Sequence, residues 1–317
     1  MLETGAVELE FDSEQKPFVI VGIPAFNEEK TIAGIVAQSQ SFADQVIVCD
    51  DGSTDLTAEI AENSGAIVIR HKKNLGYGAS IKSLFKIAVE SNADILVTLD
   101  GDGQHIPKEI PDVIKPLINC GADIVIGSRF IDTHGTAEMP IYRQIGAKLI
   151  TKLVNGSSRN GITDAQCGFR AYNRQALEQL NFSEAGMGAS VEILLKASKA
   201  KLKIYEVPCS CIYDNGDIAT STEHPLAHGM GVVSSIIRLV VEEKPLVFLG
   251  IPGLLFLFSG IFFGTWMLEL YAEMHRIVTN VALGSITLIF IGFFMLSTAV
   301  TLYALGRLSE KISRSGA

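Results

Sequence analysis

"LVTLDGDGQH", residues 96–105, runs an apolar strand straight into two carboxylates separated by one glycine, then adds an amide and an imidazole. A short apolar run bounded in this way reads as a strand buried on both faces. If the extended geometry persists for two residues, Asp100 and Asp102 project to one side, and Gly101 lets the backbone approach a ligand closely. Two unpaired carboxylates on one side repel each other. A divalent cation removes that conflict, and hard oxygen donors of this kind suit Mg2+ or Mn2+. An EF-hand is excluded, because the sixth loop position is not glycine and the twelfth is not glutamate.

The same pattern recurs on either side. "FVIVGIPAF" is followed by "NEEKTIAGIVAQSQ", with Ile32, Ile35 and Val36 at helical spacing. "QVIVCDD" is followed by "GSTDLTAEIAENSG", where Ser53 or Thr54 is expected to cap a helix that Gly65 ends. "AIVIRH" precedes "NLGYGASIKSLFKIAVES", and "DIVIGSR" supplies a fifth strand. Strands alternating with helices, each strand apolar throughout, predict an α/β domain with a mainly parallel sheet flanked by helices.

Ligands of such sheets bind outside the carboxyl ends of the strands, near the point where strand order reverses. Residues 24–28, Asp50 with Asp51, residues 100–105, and Ser128 with Arg129 all fall at those ends. A second acidic pair beside a Pro-x-x-Asn-Glu turn suggests a nucleotide diphosphate, with Asp50 and Asp51 facing base or ribose donors and the metal facing the diphosphate. "NLGYG" before a helix reads either as a phosphate-cradling turn or as a plain helix start. Beyond Ile131 the alternation weakens, and the chain to Cys211 reads as a loop, two helices and a strand.

An apolar content of 48% and a mean hydropathy of +0.31 have a local source. Residues 246–268 and 282–305 carry no charge, and each exceeds the about 20 residues that cross a bilayer. Residues 228–245 form an amphipathic pattern that fits a helix in the membrane interface. The start of the chain is acidic and polar, without the apolar core of a signal peptide. Basic residues flanking the spans favour the globular part and both termini on the cytoplasmic side of the cell membrane. The resulting division is an extension (1–17), a globular domain (18–227), an interface helix (228–245), two spans (246–305) and a tail (306–317).

The five cysteines contain no Cys-x-x-Cys pair and suggest neither a disulfide framework nor a zinc site. Cys209 and Cys211, two apart, are expected to share one face of a strand as packing residues. A net charge of −9 argues against a nucleic-acid partner.

"VGIPAFNEE", "VIVCDDGSTD", "NLGYGAS", "LDGDGQH", "IVIGSRF", Tyr142-Arg143 and "DAQCGFRAY" occur in the order and approximate spacing of the family 2 inverting glycosyltransferases. The chain most resembles the polyprenol-phosphate mannose and glucose synthases, over about residues 18–212. That resemblance implies a GT-A fold and a donor of the GDP-mannose or UDP-glucose type. It also implies a polyprenyl or dolichyl phosphate acceptor in membrane lipid. Pro24, Phe26, Glu28, Val48 and Asp50 would line the nucleotide pocket; Asp100, Asp102 and Gln104 would hold the metal; Arg129 and Arg143 would receive the acceptor phosphate. Asp164 and Gln166 would position or screen. One departure stands out: the family's Gly-x-Ser-Lys is absent, and no Lys or Arg occurs between Lys203 and Arg238, where His224 and His228 are the substitutes at hand. A processive polysaccharide synthase and a non-catalytic nucleotide-sugar scaffold are the competing readings; two spans and the retained acidic residues weigh against them.

Overall fold

The computed structural model describes residues 16–132, 139, 141–157, 161–212, 241 and 244–315. The chain divides into two compact units, Met1–Val233 and Ser234–Ala317.

The first unit opens with the expected alternation: β1 (Val19–Ala25), α1 (Ile32–Ser39), β2 (Gln45–Asp50), α2 (Thr57–Asn63), β3 (Ile67–Arg70), α3 (Tyr77–Glu90) and β4 (Ile95–Thr98). A 3-10 turn at Pro107–Glu109 leads into α4 (Ile110–Asn119) and β5 (Ile124–Ser128). Then come α5 (Ile141–Ser157), β6 (Arg170–Asn173), α6 (Arg174–Gln179), α7 (Ala189–Lys199) and β7 (Ile204–Pro208). The sheet order is β3-β2-β1-β4-β6-β5-β7. Every pair is parallel except the two made by β6, which runs antiparallel between β4 and β5. Strand order reverses between β1 and β4, so their carboxyl ends form the crevice such sheets use for ligands.

The core is the one the apolar runs imply. Ile20, Ile23, Ile47 and Leu96 from the strands, with Ile32, Ile81, Leu84 and Ile110 from the helices, are fully buried. Burial of each is worth about 1.5–3 kcal/mol against exposure to water.

Three readings change. "FRAYN", read as part of a loop and helix, contains strand β6, with Leu96 opposite Tyr172 and Thr98 opposite Arg170. Ser53 and Thr54 do not cap α2. That helix starts at Thr57, whose amide donates to Asp55 Oδ1 (3.0 Å), while Ser53 Oγ accepts from the Asn27 amide and the Thr54 amide donates to Asn27 Oδ1. Gly65 does follow the helix end, at φ +90°. Finally, Cys209 and Cys211 lie beyond the end of β7, and Cys211 instead forms an isolated antiparallel bridge with His105.

In the second unit a π-helical turn, Leu246–Gly250, enters α8 (Ile251–Met274); His275 in the left-handed region (φ 52°) ends it, and α9 (Thr279–Ser315) follows. Leu246–Met274 and Thr279–Leu308 are long and apolar enough to cross a membrane. The two helices pack through small residues: Ser285 Oγ donates to the Gly260 carbonyl (2.8 Å), and a Cβ on Gly260 would lie 2.7 Å from Ile289 Cγ1. Their outer surfaces are apolar, with Phe258, Phe262 and Phe293 each above 60% exposed. Such rows are costly in water and suited to lipid, which disfavours reading them as soluble core helices. Residues 228–240, 242 and 243 of the expected interface helix lie outside the described residues.

Candidate active site at the carboxyl edge of the sheet

The end of β1 and the end of β2 are knitted together before any ligand is considered. Asn27, in the left-handed region at φ 58°, donates from its amide to Ser53 Oγ (2.9 Å), and the Glu28 amide donates to Thr57 Oγ1 (2.7 Å). Asp50, nearly fully buried, accepts the Ser53 amide at Oδ1 (3.1 Å). Pro24 and Val48 are buried in their strands, and Phe26 is partly exposed at the edge.

Asp51 faces inward. Its Oδ1 lies 2.6 Å from His71 Nδ1 and accepts the Leu75 amide (3.0 Å), while its Oδ2 accepts the Gly76 amide (2.7 Å). These are two of the amides of the "NLGYG" turn. The turn is therefore a helix start organised by a carboxylate of the protein's own, and Asp51 acts as its anchor.

The acidic turn does not continue β4, which ends at Thr98; Asp100 and Asp102 are held by a turn rather than by strand pleating. Thr31 Oγ1 donates to the Gly101 carbonyl (2.6 Å), and a Cβ on Gly101 would lie 3.0 Å from the Pro24 carbonyl oxygen. The turn thus rests directly on the end of β1. Gly168 is required on the opposite side, since a Cβ there would sit 2.5 Å from Asp100 Oδ2.

Carboxylates converge here. Asp100 is pushed up to about 6 by burial and by the Asp102 carboxylate, with His105 pulling the other way. Glu28 is raised to about 7, by burial first and then by Asp102. Although the Asp100 side chain is 29% exposed, its Oδ1 is buried and has no hydrogen-bond partner. A buried carboxylate oxygen without a donor, among like charges, is chemically suited to a divalent cation. Gln104 sits less openly: its carbonyl accepts the Ile212 amide, and its Oε1 accepts from the Cys211 thiol (3.7 Å).

On the far side of the sheet Asp164, with no exposed surface, accepts Arg129 Nε at Oδ2 (2.7 Å) and Arg129 Nη2 at Oδ1 (3.0 Å). It also accepts the amides of Arg129, Gln166 and Cys167. The pair fixes the guanidinium at the end of β5. Arg143 falls in the first turn of α5, and its side chain lies outside the described residues, as do His224 and His228.

Reading along the chain missed one group. Arg170, 1% exposed on β6, donates to the carbonyls of Cys167 (2.8 Å), Ser190 (2.9 Å) and Ala165 (2.9 Å), tying the 165–167 loop to α7. Its signal was an arginine inside an apolar run, "GFRAY", which a buried strand tolerates only with every donor satisfied. His105, which the sequence reads either as a metal ligand or as a packing residue at the turn, is buried. It stacks on Phe169, with Nε2 3.8 Å from both Cys167 Sγ and Asp100 Oδ2. Burial alone would lower it, but Cys167, Asp100 and Asp102 raise it to about 9.

Residues 20–180 match Glycosyl transferase family 2. The UDP-N-acetylglucosamine–dolichyl-phosphate N-acetylglucosaminyltransferase of Methanococcus voltae is 36% identical over 67% of this chain and 89% of its own. The dolichyl-phosphate hexose transferase of Haloferax volcanii is 30% identical over 71% and 94%. Among solved structures, glucosyl-3-phosphoglycerate synthase from Mycobacterium tuberculosis with Mn2+ and UDP-glucose shares the fold at TM-score 0.56, 22% identity, 72% of this chain and 79% of that one. With half of its length matched to one family and its acidic turn at the crevice that the fold provides, this chain belongs to glycosyl transferase family 2.

Proposed function

We propose that this protein transfers a single sugar, with inversion, from a nucleotide-diphosphate sugar to a polyprenyl or dolichyl phosphate at the cytoplasmic face of a membrane anchored by its two C-terminal helices. The observation that carries the reading is the buried, partnerless Asp100 Oδ1 at the β1/β4 crevice, with the Asp102 carboxylate beside it and the Glu28 carboxyl raised by burial and by Asp102. The acceptor class is supported by relatives named as dolichyl-phosphate transferases, matched over 89% and 94% of their lengths.

Asp100 and Asp102, with Gln104 as a third donor, fit Mg2+ or Mn2+. Such an ion, when bound, neutralises charge on the departing diphosphate. Glu28 and Asp50 stand where ribose and base donors would meet carboxylates. Arg129, held by Asp164 through Nε and Nη2, keeps a fixed positive charge at the end of β5 toward which an acceptor phosphate would be drawn, and Arg143 is the second candidate for that role. A phosphate monoester with a second pKa of about 6 is already largely dianionic at neutral pH, so the protein needs to orient it rather than deprotonate it. Asp164 suits that division of labour. Its oxygens already accept five donors, which makes it a positioning residue for Arg129.

The test is transfer of label from a panel of nucleotide sugars into dolichyl phosphate by the full-length protein, with Mg2+, with Mn2+ and with chelator. Label is expected in the lipid phase only with metal, and Asp102→Asn should lower the rate about 10²–10³-fold, as removal of one transition-state stabiliser does. Undiminished transfer by Asp102→Asn would overturn the proposal.

A further inference from the structure

Behind the acidic turn, outside the set of residues assigned above to donor, metal or acceptor phosphate, lie three side chains that are far apart in sequence. His105 comes from the turn after β4, Cys167 from the loop before β6, and Cys209 from the residue following β7. All three are buried, at 6%, 1% and 5% exposure, and their ligand-capable atoms lie within 4.8 Å of one another.

We propose that His105, Cys167 and Cys209 form a second cation site, chemically distinct from the carboxylate pair, which takes a thiophilic divalent ion of the zinc class.

The donor set decides the class. Two sulfurs and an imidazole are soft to borderline ligands, which select zinc over the magnesium or manganese that carboxylates prefer. Zn–S bonds of about 2.3 Å and Zn–N bonds of about 2.0 Å hold neighbouring tetrahedral ligands about 3.3–3.8 Å apart. His105 Nε2 is already 3.8 Å from Cys167 Sγ. A water would complete four ligands.

The surroundings favour a site over ordinary packing. His105 Nδ1 is buried without a hydrogen-bond partner, so no hydrogen bond on that nitrogen already fixes the ring. Gly127 lets the end of β5 pack closely on Cys209 and hold its thiol in place, since a Cβ there would lie 3.0 Å from Cys209 Cβ and 3.2 Å from its Sγ. Binding would release the thiol protons to solvent and tie three segments together. Two of those segments are functional: Cys167 donates its amide to Asp164, and His105 adjoins Asp100. The ion would therefore act as a staple joining the acidic turn to the arginine side of the sheet.

The test uses the full chain, purified in detergent under reducing conditions and dialysed against a weak chelator. Elemental analysis should find one zinc per chain. Replacement by Co2+ should give a thiolate-to-cobalt charge-transfer band in the near ultraviolet. Cys167→Ser and Cys209→Ser should each lose both signals, whereas Cys120→Ser, on the surface, and Asp102→Asn should keep them. Retention in Asp102→Asn separates this site from the carboxylate metal, so either can fail without the other. A folded wild-type protein that takes up neither ion, or Cys167→Ser that binds as well as wild type, would overturn the proposal. So would a Cys167–Cys209 disulfide with no zinc in the reduced protein. If a serine variant fails to fold, the wild-type cobalt spectrum decides.

Discussion

At the scale of single residues, the buried carboxylates divide by what their oxygens touch. Asp164 spends both on Arg129 and on backbone amides, and Asp51 spends both on His71, Leu75 and Gly76, whereas Asp100 keeps one oxygen without a partner. The first two build the site; the third is left to meet something from outside. Asp164→Ala should destabilise the protein by about 3–5 kcal/mol, because it strands a guanidinium that is mostly buried. Denaturant unfolding in detergent measures this, and a loss below about 1 kcal/mol would show the pair to be as weak as a surface one. Asp100 and Asp102 were legible in the sequence because two acids and a glycine at the end of an apolar run state their chemistry locally. The Arg129–Asp164 pairing was not, since its partners are 35 residues apart and nothing along the chain records which phosphate-like group an arginine meets first.

Elements position these residues through contacts that are equally non-local. Five of the six parallel strands, β1 to β5, were readable from their apolar runs, and the edge at which they end followed from parallel topology. Strand β6 escaped because four residues containing an arginine do not make an apolar run, and because its neighbours β4 and β5 complete it only in three dimensions. Helix α7 shows a related dependence. Burial pushes the Glu192 carboxyl up, but Lys196 and the amides of Glu184 and Ser183 outweigh it and hold the group below its usual 4.5. The segment so held carries the Ala185 carbonyl, which accepts the Ala79 amide at the start of α3. A depressed carboxyl stabilises the fold above its unfolded pKa and loses that contribution as pH falls through the folded value. Glu192→Gln is therefore expected to cost about 1 kcal/mol at pH 7. The cost should shrink as the pH drops below 4.5, and a gap that is the same at pH 7 and pH 3 would contradict it.

For the molecule as a whole, the two units obey different solvents. The first hides its apolar residues in a sheet core, and the second displays them. Under the proposed cytoplasmic orientation of the first unit, protease added to sealed inside-out vesicles should digest residues 1–240, and right-side-out vesicles should protect them; the reverse pattern would refute the orientation. What the sequence by itself determined is whatever its local periodicity and composition encode: five alternating strands, two uncharged apolar segments, and the acidic turn at a strand end. Only the tertiary structure decided that β6 reverses direction between β4 and β5, that Asp51 serves the fold's own backbone, that Arg129 is clamped by Asp164, and that His105, Cys167 and Cys209 converge. The physical reason is range. Hydrophobic patterning acts over a few residues, whereas hydrogen bonds, ion pairs and ligand clusters depend on which distant segments the packed sheet brings within a few ångströms.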